Sequence, residues 1–267
     1  MITETLKKIF YFLAAPLNII HVSKASILMY HSVSDNGILF TVTPADFERQ
    51  MAYIKKRGFR VMSLDGLAGL ILAGKTIPAK TLAITFDDGY EDNYSVAWPI
   101  LKKYGFAATI FLPTAYVGKE MDNSQKKPLP VMSAEQVREM SASGSIRFGS
   151  HTHTHPRLEN ASDDEFRQEI LESAKVIEEL IGRIPTSFAY PKGYSRTSFS
   201  RMLEDCGYRC AVTVREGLVA PGDDLYLLNR NFVYSAGGFS QFKGKLGLPV
   251  ILFDAIKKIL KKIIHQL

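Results

Sequence analysis

At 267 residues, with 46% hydrophobic and 11% aromatic content, the chain has ample apolar material for a sizeable core, which excludes an intrinsically disordered protein. The formal charge of +6 sits at the ends: residues 1–24 and 240–267 together hold nine lysines against two acids, leaving the middle near −1. No basic stripe therefore marks the body of the chain as a nucleic-acid-binding domain. Two cysteines, Cys206 and Cys210, exclude a disulfide framework and paired zinc knuckles; they straddle a helix end at Gly207 and are read as packed thiols, a single bridge being the alternative.

In chain order, the segment "LKKIFYFLAAPLNIIHV" (6–22) opens with lysines and an apolar stretch shorter than the roughly 20 residues that span a bilayer, interrupted by Pro16 and Asn18. It has the n- and h-regions of a signal sequence but no convincing A-x-A site after them. From about residue 25, apolar β-branched runs alternate with helical patterns. The predicted strands are "SILMYH" (26–31), "FRVM" (59–62), "LAITF" (82–86), "AATIFL" (107–112), "IRFGS" (146–150), "SFAY" (187–190) and "RCAVTV" (209–214).

Between them, Thr43-Pro44 reads as a helix start that Gly58 ends. Asp92 reads as the N-cap of a helix ending at Gly105, with Tyr94 and Trp98 in the core rather than stacked on a sugar. Ser133 with Gln136 and Ser162 with Glu165 read as capping boxes. The helix over 162–181 carries Phe166, Ile170, Leu171, Ala174, Ile177 and Ile181 on one face, and Gly182 closes it.

Repeated strand–helix units imply a parallel sheet with helices outside, and about seven of them predict a distorted (β/α) barrel in the α/β class. The chain divides into a basic-apolar segment 1–24, a domain over 25–235 and a tail over 236–267. That tail ends in "PVILFDAIKKILKKIIHQL", a basic amphipathic helix. Leu252, Ala255, Ile256, Ile259, Leu260 and Ile263 form its apolar face, with Lys257, Lys258, Lys261 and Lys262 opposite. Both ends are expected to lie on a membrane surface, peripherally and on the cytoplasmic rather than the exported side; the competing reading packs them on the barrel or on each other. Oligomeric state is not legible.

Barrels place reactive groups at the carboxyl ends of their strands. Just past the predicted strands stand His31, the pair Asp87-Asp88, the histidines 151, 153 and 155 of "GSHTHTHP", and "YPKG" at 190–193. Two imidazoles with Asp88 make a three-ligand divalent-metal site with a position left for water, the catalytic pattern. A cation between Asp88 and the fold also explains why two like charges follow a buried strand.

These motifs resemble the polysaccharide deacetylase family, the NodB-homology or carbohydrate esterase family 4 domain. "TFDDG" (85–89) is similar to its first motif, "HTHTH" (151–155) to its second, His-[Ser/Thr]-x-x-His, and "YPKG" to its third; the resemblance covers roughly residues 25–235. It implies Asp88, His151 and His155 as ligands of a divalent ion, zinc first with cobalt, nickel or iron open. It implies Asp87 as general base, Thr152 as a loop-orienting hydroxyl, and His153 as no ligand. The backbone N–H of Lys192 then helps hold the oxyanion, with Gly193 letting that loop approach.

The sequence departs from the family pattern twice. The segment "YLLNRNFV" (226–233) has Arg230 and no histidine, and Ala189 stands where the family's third motif has an arginine. His31 is therefore read as the proton donor to the leaving amine, the alternative being a histidine that fixes the barrel mouth by hydrogen bonds. Arg230 is read as pairing with Asp87, against a plain surface or helix-pairing arginine. Tyr190 and Tyr194 are the candidate sugar platforms. The implied activity is removal of N-acetyl groups from amino sugars in a polysaccharide or lipid-linked glycan. The alternatives are hydrolysis of a small non-sugar amide and a silent carbohydrate-binding relative.

Overall fold

The computed structural model describes residues 4–14, 16–17, 23–123 and 125–266, with the side chains at 4, 258 and 260–266 left undescribed. Asn18 lies outside the described residues, as do the side chains of Lys258, Leu260, Lys261, Lys262 and Ile263. In chain order the elements begin with α1 (Glu4–Ala14), β1 (Ser26–Tyr30), α2 (Pro44–Lys56), β2 (Arg60–Met62), α3 (Leu64–Leu72), β3 (Thr81–Phe86) and α4 (Trp98–Tyr104). There follow β4 (Ala108–Leu112), the short β5 (Glu120–Met121) and β6 (Leu129–Pro130), α5 (Ala134–Ala142), β7 (Ile146–Ser150) and α6 (Asp163–Ile181). Then come β8 (Ser187–Ala189), α7 (Thr197–Asp205), β9 (Cys210–Val212), β10 (Asn231–Phe232), α8 (Gly238–Gly244) and α9 (Leu248–Gln266).

All seven predicted strands form, and they pair in parallel in the order β10-β1-β3-β4-β7-β8-β9, with β2 also on β3. β1 covers one edge of β3 through the register Ser26↔Leu82 to Tyr30↔Phe86, so β2 and β4 share the other, β2 at its start and β4 at its end. The eighth strand, β10, lies in a segment with no strand pattern of its own. It closes the barrel: Leu228 bridges to Val212 of β9 and Asn231–Phe232 pair with β1. The result is a curled, nearly closed (β/α) barrel with helices outside.

The period of two along each strand sorts its side chains. Leu28, Tyr30, Leu82, Ile84 and Phe86 face outward onto α2 and α4, in one cluster with Phe47, Met51 and Leu101. Ile27, Ala83, Phe111, Ala189, Val212 and Leu228 face inward, where Leu64, Leu67, Ala68 and Ile71 of α3 plug the amino end. The barrel is thus a packed core that is open only at the carboxyl ends of its strands.

Local signals account for most helix boundaries. The Thr43 hydroxyl accepts from the Asp46 N–H at 3.2 Å, and both capping boxes form. Gly182 and Gly105 end their helices at φ near +70°. Two readings are corrected. Leu171 is half exposed on the outer face of α6, where Ser173 takes the buried place, because the packed stripe follows 166, 170, 173 and 177. Asp92 does not cap a helix: its backbone is already helical (φ −64°, ψ −15°), whereas a capping residue is extended. Its carboxylate instead accepts from the Ser32 hydroxyl at 2.5 Å and the Val33 N–H at 3.0 Å, tying the loop after β3 to the loop after β1. The helix it precedes opens with a π turn over 93–97, just ahead of Pro99, which has no N–H to give. Both cysteines are free thiols, and Cys210 is buried.

Candidate metal and active site

Asp87 continues the inward alternation of Ala83 and Thr85, so its carboxylate turns into the barrel mouth, 2% exposed. The chain must then leave the strand sharply, and Asp88 and Gly89 both take positive φ, 68° and 60°. A Cβ on Gly89 would meet Leu112 Cδ2 at 2.4 Å, so a side chain there would displace that leucine as well as strain the backbone. The turn throws Asp88 to the rim, toward the loop that follows β7.

That loop carries the two histidine ligands. Its backbone also bends through positive φ, at Thr152 (67°) and His155 (56°), a strain that structures tolerate at functional sites. The Thr152 hydroxyl donates to the His151 carbonyl at 2.5 Å and accepts from the His155 N–H at 3.0 Å, setting the spacing between the two rings. His151 Nδ1 donates to the Ala189 carbonyl at 2.7 Å, which leaves Nε2 as the lone-pair nitrogen aimed at Asp88. Burial, opposed by Asp87, lowers the His151 pKa to about 4, so the ring is neutral and ready to ligate.

His151 Nε2 and His155 Nε2 each lie 3.7 Å from Asp88 Oδ1, and ligand atoms of all three residues lie within 4.8 Å of one another. Bonds of about 2.0–2.2 Å to a shared centre need donor atoms within about 4.4 Å, which both approaches to Asp88 satisfy. The set of two imidazoles and one carboxylate is a divalent-metal site suited to zinc, cobalt, nickel or iron. His153 points elsewhere, its Nδ1 2.9 Å from the Thr114 hydroxyl.

Asp87 is gripped from the opposite wall. Arg230, fully buried on the closing segment, donates to both of its carboxylate oxygens, from Nη1 at 2.6 Å and Nη2 at 2.7 Å. Its Nε donates to the Thr213 carbonyl at 2.9 Å, so the fork is held on both sides. Burial works to raise the Asp87 pKa, but Arg230, with His151 and His31, holds it far below the ordinary carboxylate range.

His31 stands half-buried at the end of β1, between the rings of Phe40 and Phe232, each 5.3 Å away. Its Nδ1 is buried with no hydrogen-bond partner among the described residues. Its backbone carbonyl accepts from Asn93 Nδ2 at 2.7 Å. Beside it opens a cavity of about 940 Å3 that Met29, Phe40, Arg215, Asn229 and Phe232 also line.

The loop after β8 turns back at Lys192, where φ is 56°; the Gly193 N–H donates to the Tyr190 carbonyl and the Tyr194 N–H to Pro191, so neither turn bond uses the Lys192 N–H. A Cβ on Gly193 would strike Val214 Cγ2 at 2.4 Å. Tyr190 is corrected: it is fully buried under α7, its ring 5.2 Å from Phe188. Strand alternation sends Phe188 and Tyr190 outward and Ala189 inward, so Tyr190 offers no platform to a sugar. Tyr194 is exposed.

Two residues of the site carry no motif. Tyr90 is buried next to the ligand turn, where burial first and then the Asp88 charge push its phenol well above the ordinary range and keep it protonated. Its place directly after "TFDDG" was the available signal. Glu169, on α6, accepts the N–H groups of His153 (2.7 Å) and Thr154 (2.8 Å) on one oxygen and the Thr154 hydroxyl (2.6 Å) on the other. No short-range pattern links it to that loop. Removing this clamp in Glu169→Ala is expected to weaken metal binding about 10- to 100-fold, as loss of supporting contacts does elsewhere, read by metal titration of the folded apoprotein.

The polysaccharide deacetylase family model matches residues 74–211. A Bacillus subtilis (strain 168) protein named as a polysaccharide deacetylase, YxkH, is 32% identical over 208 residues, 78% of this chain and 71% of its own. The poly-beta-1,6-N-acetyl-D-glucosamine N-deacetylase of Staphylococcus aureus is 28% identical over 229 residues, 81% of this chain and 77% of its own. Among solved structures, the Streptococcus pyogenes deacetylase PplD in complex with acetate matches with a TM-score of 0.70 at 28% identity, over 80% of this chain and 94% of that one. IcaB from Ammonifex degensii matches in fold, with a TM-score of 0.73 at 24% identity over 82% and 97%. With the motifs assembled around one metal site and this family model spanning half the sequence, the chain belongs to the polysaccharide deacetylase family and is a metal-dependent hydrolase.

Proposed function

We propose that this hydrolase removes N-acetyl groups from the amino sugars of a polysaccharide or lipid-linked glycan. The observation that carries the reading is the adjacency of Asp87, paired with Arg230, to the Asp88–His151–His155 cluster at the open end of the barrel. The Staphylococcus aureus relative is named for this reaction on poly-N-acetylglucosamine, and the PplD structure holds acetate, the expected product.

Asp88, His151 and His155 would hold the ion. When bound, a divalent ion supplies Lewis acidity and lowers the pKa of water toward about 7, which a base as weak as Asp87 requires. Asp87 accepts the proton of the attacking water, and Arg230 keeps that carboxylate ionised and aimed. The Lys192 N–H donates to the oxyanion that develops on the amide carbonyl. His31 delivers a proton to the departing amine, leaving acetate and a free amino sugar. Tyr194 is the exposed aromatic at the rim available to a sugar face.

The test is acetate release from N-acetylglucosamine oligomers by metal-loaded protein, with His31→Ala alongside. Acetate release that falls about 10²- to 10⁴-fold in His31→Ala, with metal content unchanged, is the expected result. No acetate from the metal-loaded wild type ends the deacetylase reading; near-normal turnover in His31→Ala ends the donor assignment alone.

A further inference from the structure

A helix on a soluble surface turns its apolar stripe inward and its charges outward. Both terminal helices here depart from this, with apolar residues on their outer as well as their inner faces and a lysine turned inward on each. On α1 the inner face is Lys7, Phe10, Tyr11 and Ala14, with Tyr11 and Ala14 buried. Leu6, Ile9, Phe12 and Leu13, between 51% and 70% exposed, fall within about 120° of arc on the outer face. On α9 the inner face is Val250, Phe253 and Lys257, while Leu252, Ile256 and Ile259 stand 40–58% exposed opposite them.

The inward lysines share one carboxylate. Glu216, in the loop after β9, lies 3.7 Å from Lys7 Nζ, 3.1 Å from Lys245 Nζ and 3.8 Å from Lys257 Nζ. Burial works to raise the Glu216 carboxyl, but Lys245, Lys7 and Lys257 hold it below its ordinary value. The helices also touch directly, Phe253 lying 5.2 Å from the ring of Phe10 and 5.3 Å from that of Tyr11. Tyr11 is seated on α8, where a Cβ on Gly244 would come within 1.9 Å of its Cδ1. Two helices fixed side by side on one body turn their outer faces away from it together.

We infer that α1 and α9 form a single docking face for an anionic lipid surface, lying in the interface plane with Ile9, Phe12, Leu13, Leu252, Ile256 and Ile259 among the acyl chains. Charge selects this occupant. Lys7, Lys245 and Lys257 are taken up by Glu216, but the terminal segments still hold six further lysines against two acids, so two copies brought face to face would oppose positive to positive, whereas an anionic leaflet complements them. No helix among the described residues is long and apolar enough to cross a bilayer, so the contact is peripheral. Asp254 and Lys257 of α9 also line the cavity at His31, so this helix reaches the barrel on the side where His31 stands.

The test uses the full chain and phosphatidylcholine vesicles with and without about one third phosphatidylglycerol. Wild type is expected to sediment with the anionic vesicles, to be released by salt, and to stay in solution with neutral ones. Phe12→Glu combined with Ile259→Glu, both at exposed positions, is expected to weaken sedimentation about tenfold or more while acetate release from soluble oligomers is unchanged. Wild type remaining in solution, or sedimenting no better than the double variant, overturns the inference. So does a lipid-free dimer that the same substitutions dissolve, which would make a second copy the occupant. Each of these failures leaves the deacetylase reading untouched, because that activity is measured on soluble substrate.

Discussion

Asp88→Ala is expected to yield a folded protein that retains no divalent ion through dialysis and releases no measurable acetate. Asp88 Oδ1 lies 3.7 Å from both imidazole Nε2 atoms, so its loss removes the carboxylate ligand and leaves only the two imidazoles. Affinity should fall by more than about a hundredfold, beyond what loss of a supporting contact costs. Elemental analysis beside wild type checks this, and stoichiometric metal in the variant would overturn the site.

The same site makes the apoprotein acid-sensitive. His151 is buried neutral with its pKa near 4, against 6.5 when free, so between those values the unfolded chain binds the extra proton. Stability therefore rises with pH across that window, and acid from about 6.5 down to 4 should lower the melting temperature of apoprotein. Below it both states are protonated and this contribution levels off.

Arg230→Ala is expected to cost about 3–5 kcal/mol of stability, because it strands a buried carboxylate. In wild type the Asp87 pKa is depressed, so its stabilisation is present above the ordinary carboxylate range and is lost as pH falls through the folded value. Without the guanidinium, burial dominates and drives that pKa upward, reversing the sign: the variant regains stability from this group on acidification. The acidic limb of its pH–rate profile moves to higher pH. Arg230→Lys should recover only part of both effects, since an ammonium cannot fork across two oxygens. Denaturant unfolding and the pH–rate profile give the two readouts, and an unchanged acidic limb with unchanged stability would remove Arg230 from the site.

The legible parts of this protein were those written within a few residues. The apolar run over 82–86 predicted β3 and set Asp87 and Asp88 at its carboxyl end, and Ser162 with Glu165 marked the start of α6. The spacing of His151 and His155 placed two imidazoles on one loop, their rings 4.8 Å apart. The less legible parts join distant segments. β10 is two residues long and exists because β1 and β9 leave a gap for it. Tyr190 reads as a rim aromatic in "SFAYPKG" but is buried, because α7 covers the outward face of β8. Glu169 reaches the ligand loop from 16 residues away, across a helix packed on β7.

By itself the sequence determined the parallel strand–helix alternation, the caps and the metal-ligand chemistry, since each is a property of side-chain type at periods of 2, 3.6 or a short turn. The departures from the family pattern suggested the pairing of Arg230 with Asp87, but only the tertiary structure decided it against a plain surface arginine, across 143 residues, and only it seated the two terminal helices on Glu216. Contacts between remote segments follow from how the barrel closes and from the need to neutralise buried charge, and neither leaves a local trace in the chain.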